Sequence, residues 1–288
     1  MSTFEKFGRV YNCPLKKLTS VGIGGEPEAI VEVSNRENIY GILNFFAKER
    51  LKWKVMGKGT KLLVNDSKLD FYVLRLSEQF NFFRVERIGD FFRVEVGAEF
   101  PTASLVSEGA NLGFFGVEKI SGIPGNIGGA ISMNSGTKLG SISDFVDEVS
   151  ITDETGEHKL KPDFGYRRSG INGVITEAVL KFQREDPQDT KRKILHCLEL
   201  RRRTQPVFRK NFGCIFKNPQ GESAGRIIDS LGLKGKTIGG VKISEIHANF
   251  IDNFAQGSFY DVIELIREVK QKVFYETGIN LEEEVVIW

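Results

Sequence analysis

Residues 116–136, GVEKISGIPGNIGGAISMNSG, constrain this chain more than any other stretch. Six glycines fall in these twenty-one positions: Gly116, Gly122, Gly125, Gly128, Gly129 and Gly136. Pro124 stiffens the middle, and Asn126 and Asn134 add polar side chains. Glycine lacks a Cβ, so it permits positive φ and lets the backbone approach a ligand closely. Successive free N–H groups in such a loop form a concavity that attracts anions, typically phosphate. A plain surface loop is the alternative. Such a loop seldom runs into apolar segments at both ends, as this one does with Val117 and Ile120 before it and Ile131 and Met133 after it. The stretch therefore reads as a cradle for an anionic ligand.

Two more glycine turns precede it. TSVGIGG (19–25) leads into a strand-like run, Ala29–Val33. A helix capped by Asn35 then extends to about Lys48, with Ile39, Ile42, Leu43 and Phe46 at helical spacing. The strand-like Trp53–Met56 enters the third turn, GKGTKLLV (57–64). Strand, glycine turn and second apolar run together present backbone amides to phosphate. Neither the dinucleotide GxGxxG fingerprint nor a P-loop lysine motif is present, which weighs against Rossmann and kinase readings.

Further strands are expected at 71–76, 80–86 and 91–96, a helix at 102–111, and strands at 146–152, 157–160 and 174–182. The Gly89 and Thr155-Gly156 turns mark hairpins. Near Asp186-Pro187 the character changes to a highly charged helix, about 188–203. This places a domain boundary there: residues 1–186 as one domain, with subdomains of about 1–76 and 77–186, and 187–288 as a smaller second domain. In the latter, a short helix at 224–231 and strands at 237–243 and 249–252 precede a last helix. That helix begins with Ser258 and Asp261 in capping-box spacing and ends at Gly278. Leu281–Trp288 reads as a closing strand.

The composition is that of a globular chain: 40% hydrophobic, 27% charged, formal net charge +2. That balance gives no reason to expect a nucleic-acid partner, and no run of ~18 apolar residues predicts a membrane span. Cys13, Cys197 and Cys214 are odd in number and widely spaced, and His158, His196 and His247 are scattered. These spacings predict neither a disulfide framework nor a metal site, and they fit a reducing, cytoplasmic setting.

Four polar features stand out. Arg167, in GYRRS (165–169), is either a solvated arginine or a two-pronged clamp for a carboxylate. Cys214, in FGCIFKNP (212–219), is either a small buried hydrophobe or, ahead of Lys217 and Asn218, an acid facing a bound anion. In LEEEVV (281–286), a strand would turn Glu282 and Glu284 to one face, either solvated or with one held in a site. Arg201 shares a helix face with Ile194 and Leu198, and so wants an acid or phosphate partner.

The ordered set TSVGIGG, GKGTKLLV, SGIPGNIGGAISMNSG, GYRRS, GCIFKNP, AGRIID, HANFI and LEEEV resembles the UDP-N-acetylenolpyruvoylglucosamine reductase family over residues ~19–288, in its shorter form. The resemblance implies an α+β fold: a two-subdomain FAD-binding fold of the vanillyl-alcohol-oxidase type, followed by a smaller C-terminal substrate domain. It implies a cycle in which NADPH reduces FAD and a UDP-sugar, UDP-N-acetylglucosamine enolpyruvate, then takes the same place. Hydride would pass from flavin N5 to C3 of the enolpyruvyl group, and a protein acid would protonate C2. The product, UDP-N-acetylmuramate, is a peptidoglycan precursor.

By position, the resemblance gives Arg167 the substrate carboxylate. It sets Glu284 on the other side of that carboxylate, the two stabilising an enolate-like intermediate. Cys214 falls where the family more often has a serine, the general acid. Gly57, Lys58, Gly59, Thr60, Lys61 and Leu62 match one FAD-binding loop, and Ser121, Gly122, Gly125, Asn126, Gly128 and Gly129 match another. Tyr166, Arg201, Lys217 and Asn218 match substrate-binding positions. Two departures are plain: the usual Ser-Asn after GxG is Thr60-Lys61, and the usual tyrosine after Asn134 is missing from NSGTKLG (134–140). A monomer is favoured. The competing readings are another FAD oxidoreductase of the same fold, such as a sugar-lactone oxidase, and a nucleotide-sugar binding protein without catalysis.

Overall fold

The structure, a computed structural model, describes residues 3–288. It divides into two compact units, each assembled from separate stretches of chain. The first takes the chain up to Asn12, then Glu28–Gly57 and Asp70–Leu200; the second takes Cys13–Pro27, Lys58–Leu69 and Arg201–Trp288.

The first unit carries two sheets. One has four strands in the order Gly8–Tyr11, Ile30–Val33, Tyr72–Leu76, Trp53–Val55, of which the last three run parallel. Helix α1 (Arg36–Lys48) makes the crossover out of Ile30–Val33. Its cap is as expected, with the Asn35 side chain accepting from the Asn38 amide at 2.8 Å. Ile39, Ile42, Leu43 and Phe46 are all buried, each worth ~1.5–3 kcal/mol by transfer from water. Phe46 lies parallel to Trp53, with ring centroids 6.1 Å apart.

The second sheet is antiparallel, in the order Gly156–Leu160, Val146–Asp153, Val174–Gln183, Phe91–Gly97, Phe83–Ile88. Helices α2 (Thr102–Leu112) and α3 (Ile127–Ser132) follow its Phe91–Gly97 strand. Phe92, Phe114, Phe145 and Phe182 fill its core as a chain of ring contacts.

The second unit packs helices α5 (Ala224–Ser230) and α6 (Phe259–Thr277) with a three-stranded antiparallel sheet, Thr237–Ile238, Val241–Ile243 and Ile251–Asn253. The run 237–243, expected as one strand, is a hairpin, because Gly239 at φ +51 and Gly240 turn the chain. Both halves of the capping box on α6 are formed, and Gly278 ends the helix in the left-handed conformation.

The expected division after residue 186 differs from these units. Helix α4 (Pro187–Thr204) starts in the first unit, where Ile194 and Leu198 join the apolar core. The early segments 13–27 and 58–69 belong to the second unit. The reason is a pairing distant in sequence: Leu62–Leu63 lies parallel to Val286–Ile287. Val21, Ile23 and Leu63 are then buried in the core formed by residues after 211.

Candidate active site

In the first unit the glycine loop is fastened at several points. Thr102 N–H donates to Gly125 O at 3.1 Å, Ile127 N–H to Phe100 O at 3.0 Å, and Gly128 N–H to Ala98 O at 2.8 Å. Asn126 caps α3 by accepting from Gly129 N–H at 3.1 Å, and its own amide donates to the buried Glu99 carboxylate at 2.8 Å. Gly122 and Gly125 have φ of +71° and +116°, which side chains rarely adopt. A Cβ on Gly57 would lie 2.7 Å from Asn126 Oδ1, and one on Gly128 would lie 3.0 Å from the Ala98 methyl.

The Ser121 hydroxyl is fully buried and has no hydrogen-bond partner among the described residues, and the same is true of the Thr102 hydroxyl, whose own amide is tied to Gly125. Buried hydroxyls are normally hydrogen-bonded. Two orphaned hydroxyls and a loop that tolerates no extra Cβ suit the pyrophosphate and sugar of FAD, and these residues fit that cofactor. Thr102 escaped the sequence reading. Its only local signal was a threonine after Pro101 at a helix start.

A second cluster in this unit surrounds Arg167. Gly165 and Arg168 bond each other both ways, N–H to O at 3.0 and 3.2 Å, so Tyr166 and Arg167 form the tip of a tight turn. Arg167 has φ +56°, a costly conformation for a residue other than glycine. Its guanidinium donates toward Asn134 O at 3.5 Å and Gly136 O at 3.3 Å and stacks 5.1 Å from the Tyr166 ring. Those carbonyls belong to the segment 134–140, which turns through a two-residue hairpin, Gly136–Thr137 with Gly140–Ser141. The sequence placed a missing tyrosine here; the fold uses the segment's main chain.

In the second unit residues 58–62 lie against the 19–25 loop: Ser20 N–H donates to Gly59 O at 3.1 Å, and Ser20 Oγ to Asn211 O at 2.6 Å. The segment around Cys214 is fixed by Asn249. Its side chain accepts from Phe216 N–H at 2.9 Å and donates to Phe216 O at 2.8 Å, while its carbonyl accepts from Ile215 N–H at 2.9 Å. Cys214 is half-buried.

The chain end meets this segment. Only Val286–Ile287 is a strand, so the expected Leu281–Trp288 strand is shorter than the sequence suggested. The amides of Glu284 and Val285 both reach Ile215 O, at 2.7 and 3.3 Å, while Glu283 bridges Phe216. Two residues facing one is a β-bulge pattern, and it interrupts the two-residue alternation. Glu282 and Glu284 consequently differ. Glu282 is exposed and pairs with Lys217 at 3.2 Å; the Glu284 side chain is only 9% exposed and pairs with Lys61 at 2.8 Å. Lys61 also donates to Cys214 O at 2.7 Å. Lys61, Cys214 and Glu284 thus form one cluster. Asn218 accepts from Ala224 N–H at 3.1 Å, and Arg201 lies in the last turn of α4. Among the described residues, no group of three His, Cys, Asp or Glu side chains could hold a metal ion, and no helix is long and apolar enough to cross a membrane.

Comparison with known proteins gives a consistent answer. Residues 27–160 match the FAD binding domain family, and residues 205–288 match the family described as UDP-N-acetylenolpyruvoylglucosamine reductase, C-terminal domain. A reductase of this name from Thermus thermophilus is 36% identical over 282 residues, covering 96% of this chain and 99% of that one. UDP-N-acetylenolpyruvoylglucosamine reductase 2 of Symbiobacterium thermophilum is 35% identical over 282 residues, covering 96% and 90%. The crystal structure of the Thermus caldophilus reductase superposes with a TM-score of 0.85 at 34% identity, over 98% of this chain and 100% of the other. The expected α+β class, an FAD-binding domain with a further C-terminal domain, is the class found. On full-length identity and shared fold together, the chain belongs to the UDP-N-acetylenolpyruvoylglucosamine reductase family.

Proposed function

We propose that this chain reduces the enolpyruvyl double bond of UDP-N-acetylglucosamine enolpyruvate, with FAD as cofactor and NADPH as co-substrate, to give UDP-N-acetylmuramate. The observation that carries the reading is the convergence of Lys61, Cys214 and Glu284 from distant stretches of sequence, in a chain about 35% identical to these reductases over nearly its whole length. Bound FAD supplies the hydride for C3 of the enolpyruvyl group, replenished from NADPH. The glycine loop with Ser121, Gly122, Gly125, Asn126, Gly128 and Gly129, and the turn from Gly57 to Leu62, are the segments proposed to hold it.

Each remaining task falls to a residue of the chain. Arg167 grips the substrate carboxylate, a planar fork on a planar anion. Its positive charge opposes the negative charge that develops on that group as hydride arrives at C3. Tyr166, beside it, borders the same substrate group. Cys214 donates its thiol proton to C2 and is recharged from solvent. A free thiol has a reference pKa of about 8.5, so it is mostly protonated at neutral pH and yields a proton more readily than a serine hydroxyl. Glu284 shapes the electrostatics on the other side of the substrate carboxylate. Lys217, Asn218 and Arg201 serve the diphosphate and sugar. Residues 187–288 are proposed as the substrate domain in function, with the earlier segments that pack into it.

The test is optical. The purified protein should be yellow. NADPH should bleach it without oxygen, and the enolpyruvyl nucleotide should restore the colour. A colourless protein would favour a binding module, and bleaching without recovery would favour a different acceptor.

A further inference from the structure

We infer that a cleft at the end of α4 receives the 2′-phosphoadenosine end of NADPH and so sets a preference for NADPH over NADH. The inference rests on the proposed function above, which supplies NADPH; the cleft itself does not. Its volume is about 410 Å³, inside the range of ~300–1,000 Å³ usual for ligand clefts, and Arg202, Phe208, Arg209 and Ile246 are among its walls. All four belong to the second unit. Phe208 is 86% exposed, and Val207 and Ile246, which share the cleft, are exposed as well. The ring is presented by a closed turn. Arg209 N–H donates to Pro206 O at 3.1 Å, and the Asn211 side-chain amide donates to Pro206 O and Arg209 O, both at 3.0 Å. Val207 and Phe208 form the tip of that turn.

Charge selects the ligand. Residues 200–221 carry Arg201, Arg202, Arg203, Arg209, Lys210 and Lys217 and no acid. Among the described residues Arg202 and Arg209 form no ion pair. Asp252 and Glu245 feel the charge of Arg209 across a longer gap, and Glu245 is itself paired with Lys242 at 2.8 Å. In the proposed function Arg167 holds the substrate carboxylate, and Arg201, Lys217 and Asn218 serve its diphosphate and sugar. Arg202 and Arg209 are therefore surplus to the substrate. Beyond its diphosphate, NADPH brings one further anionic group, the phosphate on the 2′ oxygen of its adenosine, which NADH lacks. Two guanidinium groups suit that phosphate. The bare Phe208 ring offers the adenine a face to stack on. Cys214 lies five residues beyond Arg209, at most ~18 Å away even in an extended chain. A dinucleotide with its nicotinamide beside Cys214 can therefore place its other end in the cleft.

The test titrates the flavin-loaded protein calorimetrically with two probes, adenosine 2′,5′-bisphosphate and adenosine 5′-phosphate. The bisphosphate should bind about tenfold tighter or more, the worth of a charge-assisted hydrogen bond. Arg202→Ala and Arg209→Ala should each shrink that advantage roughly threefold or more, and the double variant should abolish it. Both side chains are exposed, so these variants should fold. Phe208→Ala should weaken both probes alike, because stacking is blind to the 2′ position. Equal affinity of the two probes for the parent, or a double variant that still prefers the bisphosphate, would overturn the inference. So would an equally large loss of uridine 5′-diphosphate binding in the double variant, which would assign the two arginines to the substrate. In stopped-flow, the ratio of bleaching rates, NADPH over NADH, should fall by the same factors. If neither nicotinamide bleaches the parent, the proposed function fails, while the titrations still decide whether the cleft takes a 2′-phosphate.

Discussion

Arg167 and Asn134 hold each other in place. Arg167 donates to the Asn134 carbonyl oxygen, and the Asn134 side-chain amide donates at 2.9 Å to Gly165 O, in the turn that carries Arg167. Both residues sit at positive φ, +56° and +41°. Strain of this kind persists only where the surroundings over-determine it, and it gathers at functional sites. Asn134→Gly keeps the backbone conformation and removes the brace. The variant also loses the longer bond that Ser143 N–H donates to the Asn134 side chain at 3.4 Å; the loss of the bond to Gly165 alone, about 0.5–1.5 kcal/mol, should raise KM for the enolpyruvyl nucleotide roughly threefold to tenfold. Arg167→Lys keeps the charge and loses the fork. It should lower kcat/KM for that substrate roughly tenfold to a hundredfold, with flavin reduction by NADPH intact. Equal loss in both half-reactions would show that the turn serves folding instead.

Protonation belongs only to the second half of the cycle. Cys214→Ala should therefore leave bleaching by NADPH at its normal rate and slow the recovery of colour by roughly a hundredfold or more, the usual contribution of a placed acid. Cys214→Ser should retain activity. Stopped-flow absorbance separates the halves, and an inactive serine variant would mean the thiol has another task.

Gly57 is tight for a steric reason, since a Cβ there meets Asn126 Oδ1 at 2.7 Å. Asn126 cannot yield freely, because it also holds Glu99 and the Gly129 amide. Gly57→Ala should weaken flavin binding by about tenfold or more, equal to ~1.4 kcal/mol. The check is the flavin-to-protein absorbance ratio after dialysis, alongside a circular-dichroism melt. A fully yellow variant would separate this loop from the cofactor.

Asp261 should make α6 sensitive to acid. The Ser258 amide donates to its carboxylate at 2.8 Å, and this bond, with the Gly240 amide and the Ser258 hydroxyl, holds Asp261 below the usual carboxylate range. A lowered folded pKa contributes stability that is present above the unfolded value of about 3.9 and lost as pH falls through the folded one. Asp261→Asn should cost about 1 kcal/mol at pH 7, as for a lost cap. The gap between parent and variant should narrow in denaturant titrations as the pH is taken below the unfolded value of about 3.9.

Asp252 has the opposite sign. It is buried in the Ile251–Asn253 strand, and one carboxylate oxygen has no hydrogen-bond partner among the described residues. Burial raises its pKa, against a Ser244 hydrogen bond and the charges of Arg209 and Lys242, which lower it. The folded state thus binds this proton more tightly than the unfolded state. Stability from this group is complete below about pH 3.9 and declines as pH rises through the folded value. Asp252→Asn should remove that decline and melt at the same temperature as the parent or higher at pH 7. A lower melting temperature at every pH would mean that the ionised carboxylate is needed.

Much of this molecule was legible locally. The apolar spacing of Ile39, Ile42, Leu43 and Phe46 specifies α1, and Asn35 starts it. Ser258, Asp261 and Gly278 bound α6 because capping chemistry is contained within a few residues. The glycine loop at 116–136 announced a cradle, since positive φ and close backbone approach belong to glycine itself. Arg167, Cys214 and Glu284 were singled out by residue type and by resemblance. What each touches was not legible.

Tertiary structure decided those contacts. The parallel pairing of Leu62–Leu63 with Val286–Ile287 draws an early turn into the second unit, and no local pattern encodes a partner so distant in the chain. The bulge at Glu284 and Val285 sets two neighbouring acids in different surroundings, where alternation alone would have made them equal. Lys61, read as a loop residue near a cofactor, becomes a counter-ion of Glu284 only once the chain end is folded beside it. Backbone propensity and capping act over a few residues and are written in order along the chain. Charge pairing and burial act through space, and they exist only after the chain has closed.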